Sequence, residues 1–326
     1  MLCVIYEPVC NHILLLQTVF CTNSEDFYAV MYLGNDFSLI SLVFDVPWRK
    51  IDWGNKEELL KMINRYTPRH GEEHLRVLVY GPVGAGKSSF INSVTSALYE
   101  RMSNEAAANT SDSYETHYIF KEDSLDDTYP FVFNDIMGLE GGEKQGIHPE
   151  DIKLAMKGHV RDGYKFNPMS PLSEDSKHYN PNPTIDDQVH VLVLMLSANC
   201  PEIDHSVIQK MKEVRETARD LGIPQIAMGT HVDKACPEIM KDIKNIYRSK
   251  SMKTNVEFSK AVGIPLNCIM GVKNYSEETD NDADVDTLLL IALKHIVTNG
   301  LDFVRKQHHK RAHSLEGEMS KLNVNK

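Results

Sequence analysis

The sequence predicts an α/β fold, a mostly parallel sheet with helices on both faces, and three observations carry that reading. Apolar runs of strand length alternate with helix-spaced stripes across residues 75–299. Residues 189–196 are almost continuously apolar, as a strand covered on both faces must be. The run 75–80 leads straight into Gly81-Pro-Val-Gly84-Ala85-Gly86-Lys87-Ser88-Ser89, so a strand, a glycine-rich turn and a helix start lie in one stretch.

Residues 1–20 are apolar but have no basic lead-in, and Glu7, Asn11 and His12 interrupt them. A buried strand is expected there rather than a secretion signal or a membrane span. The runs 27–33 and 39–44 flank a Gly34-Asn35-Asp36 turn and read as further strands. Trp48 and Trp53 are expected to anchor this segment on the rest of the chain, and a helix is expected over residues 56–66, ahead of Pro68. The glycine turn opens a helix with Phe90, Ile91, Val94 and Leu98 on one face; residues 102–113, small and polar, read as a mobile loop. Strands follow at 118–120 and 129–133. The stretch 158–188, with its repeated Asn-Pro steps, exceeds ordinary connection lengths and is either an insertion with a role or disordered.

After the strand at 189–196, Val207, Met211, Val214, Ala218 and Leu221 mark a helix that Gly222 ends. Residues 224–230 read as a strand, and Pro237 opens a helix striped by Ile239, Met240, Ile243, Ile246 and Tyr247. A last strand at 266–272 and a last helix at 284–299 complete the alternation. The expected organisation is an N-terminal segment over 1–70, a main domain over 71–306 and a basic tail over 307–326.

Gly81, four intervening residues and Gly86-Lys87-Ser88 complete the phosphate-loop pattern G-x-x-x-x-G-K-[ST]. Glycine lets the backbone curl until its N–H groups face phosphate oxygens, and the helix start adds positive field. Gly81, Gly84, Ala85, Gly86, Lys87, Ser88 and Ser89 are therefore the expected nucleotide-binding residues. Lys87 would reach the β- and γ-phosphates, and Ser88 would be one ligand of Mg²⁺.

Asp135, at the end of an apolar strand, is the expected second magnesium group, and Gly138 completes D-x-x-G, whose glycine N–H can contact a γ-phosphate. Thr230-His231-Val232-Asp233 follows a strand where guanine-binding proteins place N-K-x-D. An aspartate there accepts from the N1–H and exocyclic amine of guanine and is left unpaired by adenine. Thr230 and Asp233 are thus expected at the base, with GTP and Mg²⁺ as cofactors; the alternative is that Asp233 only caps the helix after it. Residues 267–273 occupy the place of a final base-contacting loop. Leu139 stands directly after D-x-x-G and cannot orient water, which leaves Glu140 as the catalytic candidate or a partner as the supplier. Thr116, ahead of Thr110, is the candidate switch threonine on the metal; either is equally an ordinary surface hydroxyl.

A net charge of −11, from 46 acids against 35 bases, argues against general attraction to nucleic acid or anionic lipid. Six cysteines without metal-ligand spacing suit reduced thiols, and a cytoplasmic location without a transmembrane segment is expected. His308, His309 and His313 sit in a basic segment read as solvated, and the acidic run 277–286 lacks calcium-loop order.

The residues Pro47-Trp-Arg-Lys-Ile-Asp-Trp53, the phosphate loop through Val94, Asp135-Ile-Met-Gly-Leu-Glu140, residues 158–168 and Val232-Asp-Lys-Ala-Cys-Pro237 together resemble the interferon-induced protein 44 family, over residues 45–305. The resemblance implies a cytoplasmic phosphate-loop domain of GTPase type, induced by interferon and linked to antiviral and antiproliferative responses. Members commonly carry an N-terminal TLDc domain, for which too few residues precede Pro47. The leading expectation is a guanine-nucleotide-binding protein with slow or partner-assisted hydrolysis, unidentified protein partners and nucleotide-dependent self-association. The alternatives are a non-hydrolysing interaction scaffold and an ATP-binding phosphate-loop protein.

Overall fold

The structure is a computed structural model that describes residues 16–21, 27–33, 36–67, 74–104, 106, 112–121, 127–142, 145–199, 203–253 and 263–324, with side chains over parts of 42–313. Strands β1 (Leu16–Cys21), β2 (Phe27–Leu33) and β3 (Asp36–Ser41) form an antiparallel meander. Helix α1 (Lys56–Asn64) then leads to a six-stranded sheet made of β4 (Leu75–Tyr80), β5 (Glu115–Phe120), β6 (Thr128–Asp135), β7 (Val191–Ser197), β8 (Gln225–Thr230) and β9 (Ile269–Gly271). Their order is β5-β6-β4-β7-β8-β9, and every pair is parallel except β5 with β6. This is the phosphate-loop α/β fold expected from the sequence.

Between the strands lie α2 (Lys87–Tyr99), α3 (Pro149–Lys157), α4 (His205–Leu221), the short α5 (Val232–Ala235) and α6 (Pro237–Lys241), and finally α7 (Ala283–Val324). The chain leaves β4 toward β6 on one side and later reaches β7 on the other. The crevice where strand order reverses therefore opens at the carboxyl end of β4, the place where such sheets bind ligands. The glycine-rich turn occupies it.

Val77, Leu78, Val79, Val191, Leu192 and Val193 are wholly buried, as central parallel strands require. Helix α7 is by length and composition apolar enough to cross a membrane, but 61% of that window is buried inside the protein, against α1, α2, β4 and β7. Gly300 explains its close approach, since a Cβ there would lie 2.6 Å from Leu75 and 2.8 Å from Val191.

Several expectations change. The helix expected from Pro237 breaks at Asp242, whose extended backbone and side-chain cap on the Lys244 N–H start a separate 3-10 turn, Ile243–Tyr247. Met240 is consequently 68% exposed and not part of a stripe. Residues 266–268 form a 3-10 turn, so β9 is only three residues long. The last helix runs on to Val324 through the segment expected as a tail. Residues 158–188 are folded: Val160 bridges Tyr179, Ser113 bridges Lys165, and the His159 and Tyr179 rings stack at 5.1 Å. The loop expected over 102–113 is partly pinned, because the Asn92 side chain exchanges two hydrogen bonds of 2.7 Å with the Ala106 backbone; residues 105 and 107–111 lie outside the described residues.

Trp48 and Trp53 both pack against the core, as expected, and Arg49 adds to the anchoring of residues 42–53. Trp48 meets Tyr247 edge-on at 4.9 Å, and the Arg49 guanidinium lies over both rings while donating to the Ile269 and Leu266 carbonyls at 2.6 and 2.8 Å.

Candidate nucleotide site

The turn 81–86 needs its glycines. Gly84 and Gly86 have φ of 75° and 80°, in the left-handed region that other residues enter at a cost. A Cβ on Gly81 would lie 2.2 Å from the Met195 carbonyl oxygen of β7, so the turn hugs the neighbouring strand. Its far side is braced by β8 and the segment after β9. The Thr230 hydroxyl donates to the Ala85 carbonyl at 2.8 Å, and the Asn274 amide donates to the Gly86 carbonyl at 2.9 Å. The Val83 and Ala85 N–H groups are spent on the Leu139 and Pro82 carbonyls at 3.2 Å each, and with its own carbonyls held from behind the loop keeps the N–H groups of Gly84 and Gly86 for a ligand.

Lys87 opens α2, and burial pushes its ammonium below the usual lysine value, while Asp135 opposes that shift. Its nearest polar contact is the Pro82 carbonyl at 3.4 Å. The Ser88 hydroxyl donates to Asp135 Oδ2, and the Ile136 N–H donates to Oδ1 at 2.9 Å. Burial raises the Asp135 carboxyl, with the Ser88 hydrogen bond and Lys87 acting against it. A hydroxyl and a carboxylate meeting beside a partly buried ammonium form an oxygen donor set suited to Mg²⁺ with retained waters. These residues fit the expected cation.

Thr116 does not belong to that set. In the β5–β6 pair Thr116 stands opposite Asn134, and its hydroxyl accepts from the Asn134 amide at 2.8 Å. Asp135 is opposite Glu115. Successive residues on a strand point to opposite faces, so Thr116 and Asp135 lie on different sides of the sheet, and Glu115 and His117 share the side of Asp135. Thr110 lies outside the described residues.

The D-x-x-G stretch is stitched to the phosphate loop. Leu139 donates to Gly81 O at 2.9 Å and accepts from Val83 N at 3.2 Å. Gly138 must be glycine here, since a Cβ would fall 2.5 Å from Val83 Cγ2 and 2.8 Å from its backbone. The Leu139 side chain is only 1% exposed. Beyond it, Lys210 of α4 donates to three carbonyls, Glu140 O at 2.9 Å, Gly142 O at 2.8 Å and Gln145 O at 3.0 Å, and Ser206 accepts from Gly142 N. Glu140 is fixed by its backbone, with its side chain half-buried.

Asp233 sits in the first turn of α5, directly after β8, and is half-exposed. It is not a cap: the residue at that position is His231, with φ 53° and no side-chain capping bond. Among the described residues the Asp233 carboxylate has no hydrogen-bond or ion-pair partner, which leaves its acceptors available. Burial, then Lys234, hold the His231 imidazole below its usual value, with Asp233 opposing, and its Nδ1 lies 3.1 Å from the Ser197 hydroxyl. The 267–273 expectation shifts. Residues 269–271 are strand and Lys273 pairs with Glu278 at 2.8 Å, so the side chain that reaches the loop is Asn274.

The chain is 34% identical over 255 residues to interferon-induced protein 44 of Mus musculus, covering 76% of this chain and 60% of that protein. It is 32% identical over 260 residues to interferon-induced protein 44 of Homo sapiens, covering 76% and 57%. The chain belongs to the interferon-induced protein 44 family. To the human interferon-induced protein 44-like protein the identity is 31% over 258 residues, covering 77% and 57%. The chain thus spans less than two thirds of the length of these family members, and no family model matches it. Among solved structures, Toc33 from Arabidopsis thaliana in complex with GDP and Mg²⁺ aligns at 14% identity and a TM-score of 0.44, covering 77% of this chain and 97% of Toc33. Its complex with Mg²⁺ and GMPPNP aligns at 14% and 0.41, covering 76% and 92%. At such scores the likeness is loose, and the fold assignment of this interferon-induced protein 44 family member rests on its own strand order and phosphate loop.

Proposed function

We propose that this chain is a guanine-nucleotide-binding protein of the interferon-induced innate immune and antiviral response, acting in the cytoplasm with GTP and Mg²⁺. The observation that carries the reading is the convergence at the carboxyl end of β4: a curled glycine loop, the partly buried Lys87 ammonium, and Ser88 in contact with Asp135. In this reading the loop N–H groups and Lys87 bind the phosphates. Ser88 and Asp135 hold the magnesium ion, which would neutralise phosphate charge. Gly138 presents its N–H where a γ-phosphate ends, and the unpartnered Asp233 supports guanine over adenine.

Hydrolysis is slow or partner-assisted in this proposal. Leu139 is buried and clamped through its backbone to Gly81 and Val83, so it offers a water no polar group. Glu140, the next residue along the chain, is the candidate to orient the water. The same burial of Leu139 favours a second reading, a scaffold whose nucleotide stabilises the fold without turnover.

The test is binding of a fluorescent GTP analogue to the wild-type protein and to Lys87→Ala. The proposal expects saturable, magnesium-dependent binding that the variant loses by a hundredfold or more, on the order of 3 kcal/mol for a buried charge-assisted contact. Equal binding by a folded Lys87→Ala protein contradicts it. Phosphate release from GTP by the wild type, absent in the variant, excludes the scaffold.

A further inference from the structure

We propose that a second, independent anion site lies between residues 49–55, β9 and α7, and that it takes a phosphate-bearing small molecule or headgroup. A cavity of about 360 Å³ opens there, within the range of small-ligand sites. None of its lining residues belongs to the phosphate loop.

The charges of this cavity run against those of the chain. Arg49, Lys50 and Lys294 line it, and Asp52 is its one acid, in a protein with 46 acids and 35 bases. Arg49 is built into the wall: two backbone carbonyls and two aromatic rings fix its guanidinium, and neither partner type neutralises it. Lys50 and Lys294 have no ion-pair partner among the described residues and are exposed at the rim. Asn55 and Asn267 add polar groups, while Leu59 and Met270 form an apolar floor.

The field of these cations is felt by His295 on the same rim. Loss of water lowers its imidazole, and Arg49 and Lys294 lower it further, as expected where positive charges gather. An adjoining cavity of about 520 Å³ shares Asn55, Leu59 and Lys294 and adds Arg65, together with Glu58 and with Lys61, which pairs with Glu57 at 4.0 Å. A fixed guanidinium with two mobile ammonium groups matches a phosphate: planar hydrogen bonding from the first, point charge from the others.

The test titrates pyrophosphate into full-length Lys87→Ala protein, so that the phosphate loop does not compete, and follows the His295 ring by NMR. Saturable movement of that ring is expected, with binding weakened at least tenfold in Lys50→Ala/Lys294→Ala made on the same background. A Lys153→Ala/Lys212→Ala variant on that background, which removes two lysines elsewhere, should bind as tightly as its parent. Co-sedimentation with phosphatidylcholine vesicles containing phosphatidylinositol bisphosphate, but not with phosphatidylcholine alone, assigns the site to a headgroup. Binding in solution without sedimentation assigns it to a free phosphate. A His295 ring that does not move, or equal affinity in the two double variants, overturns the proposal.

Discussion

Asn274 braces the phosphate loop from 188 residues away, through one side-chain bond to the Gly86 carbonyl. Its own Oδ1 is buried without a partner. Asn274→Ala should therefore loosen the loop at a stability cost of about 1 kcal/mol, read by chemical denaturation, with a larger loss in nucleotide affinity than in stability. Nothing in the sequence marks this residue, because it acts on backbone and carries no nucleotide-binding motif. The phosphate loop itself was legible because its seven or so residues act together in a contiguous stretch. Thr116 was misplaced for a related reason. A one-residue change of parity moves a side chain to the other face of a strand, and β5, an edge strand of mixed polarity, has no hydrophobic alternation strong enough to fix it. Glu115 and His117, one residue to either side, lie on the side of Asp135 instead.

At the scale of elements, Lys210 of α4 is the clamp on the stretch after D-x-x-G. A single ammonium satisfies three carbonyls there. Lys210→Met should cost about 1–2 kcal/mol of stability and speed hydrogen exchange over residues 138–147 while leaving β7 and β8 protected. Unchanged exchange in that stretch would show that the backbone bonds to Gly81 and Val83 suffice alone. Asp151 of α3 does comparable work for the folded segment 158–188, accepting from the Leu172 N–H at 2.7 Å and from the Tyr164 hydroxyl at 3.4 Å. Burial raises its carboxyl above the usual aspartate range. Its folded state therefore holds a proton more tightly than the unfolded chain, so its contribution is greatest at low pH and declines as pH rises through the folded value. Asp151→Asn, which keeps an acceptor for Leu172, should gain stability relative to wild type as pH increases from 4 to 7. A difference that stays flat with pH would rule out that burial effect. The segment was not legible as folded, since its irregular backbone has no period; its order comes from buried Tyr164, Phe166 and Leu172 and from contacts such as these.

Across the whole molecule, α1 and α7 are joined by the Lys56–Asp286 ion pair at 2.8 Å, with the Asp286 side chain fully buried. Tyr275 and Asn281 also donate to that carboxylate, and Tyr275 N donates to Ser93 of α2. This network ties the helix that follows the phosphate loop to the C-terminal helix. Lys56→Ala leaves the carboxylate without its cation and should cost about 3 kcal/mol, measured by thermal or urea unfolding. A loss below about 0.5 kcal/mol would place the pair among surface bridges of little consequence. The α/β class was legible from alternation alone, and the sheet order follows from a parallel fold with its loop at the switch point. The extent of α7 was not, because its polar continuation after residue 306 lacks an apolar stripe even though the backbone stays helical.

The central claim is guanine nucleotide binding at the loop that Gly81 opens, and competition of GTP against ATP for one labelled site tests it most directly. With Mg²⁺ present, GTP should displace a labelled guanine nucleotide at a concentration at least tenfold below that of ATP, and Asp233→Ala should narrow that ratio while Lys87→Ala removes the signal. Displacement by ATP and GTP at equal concentrations, unaffected by Asp233→Ala, would contradict it.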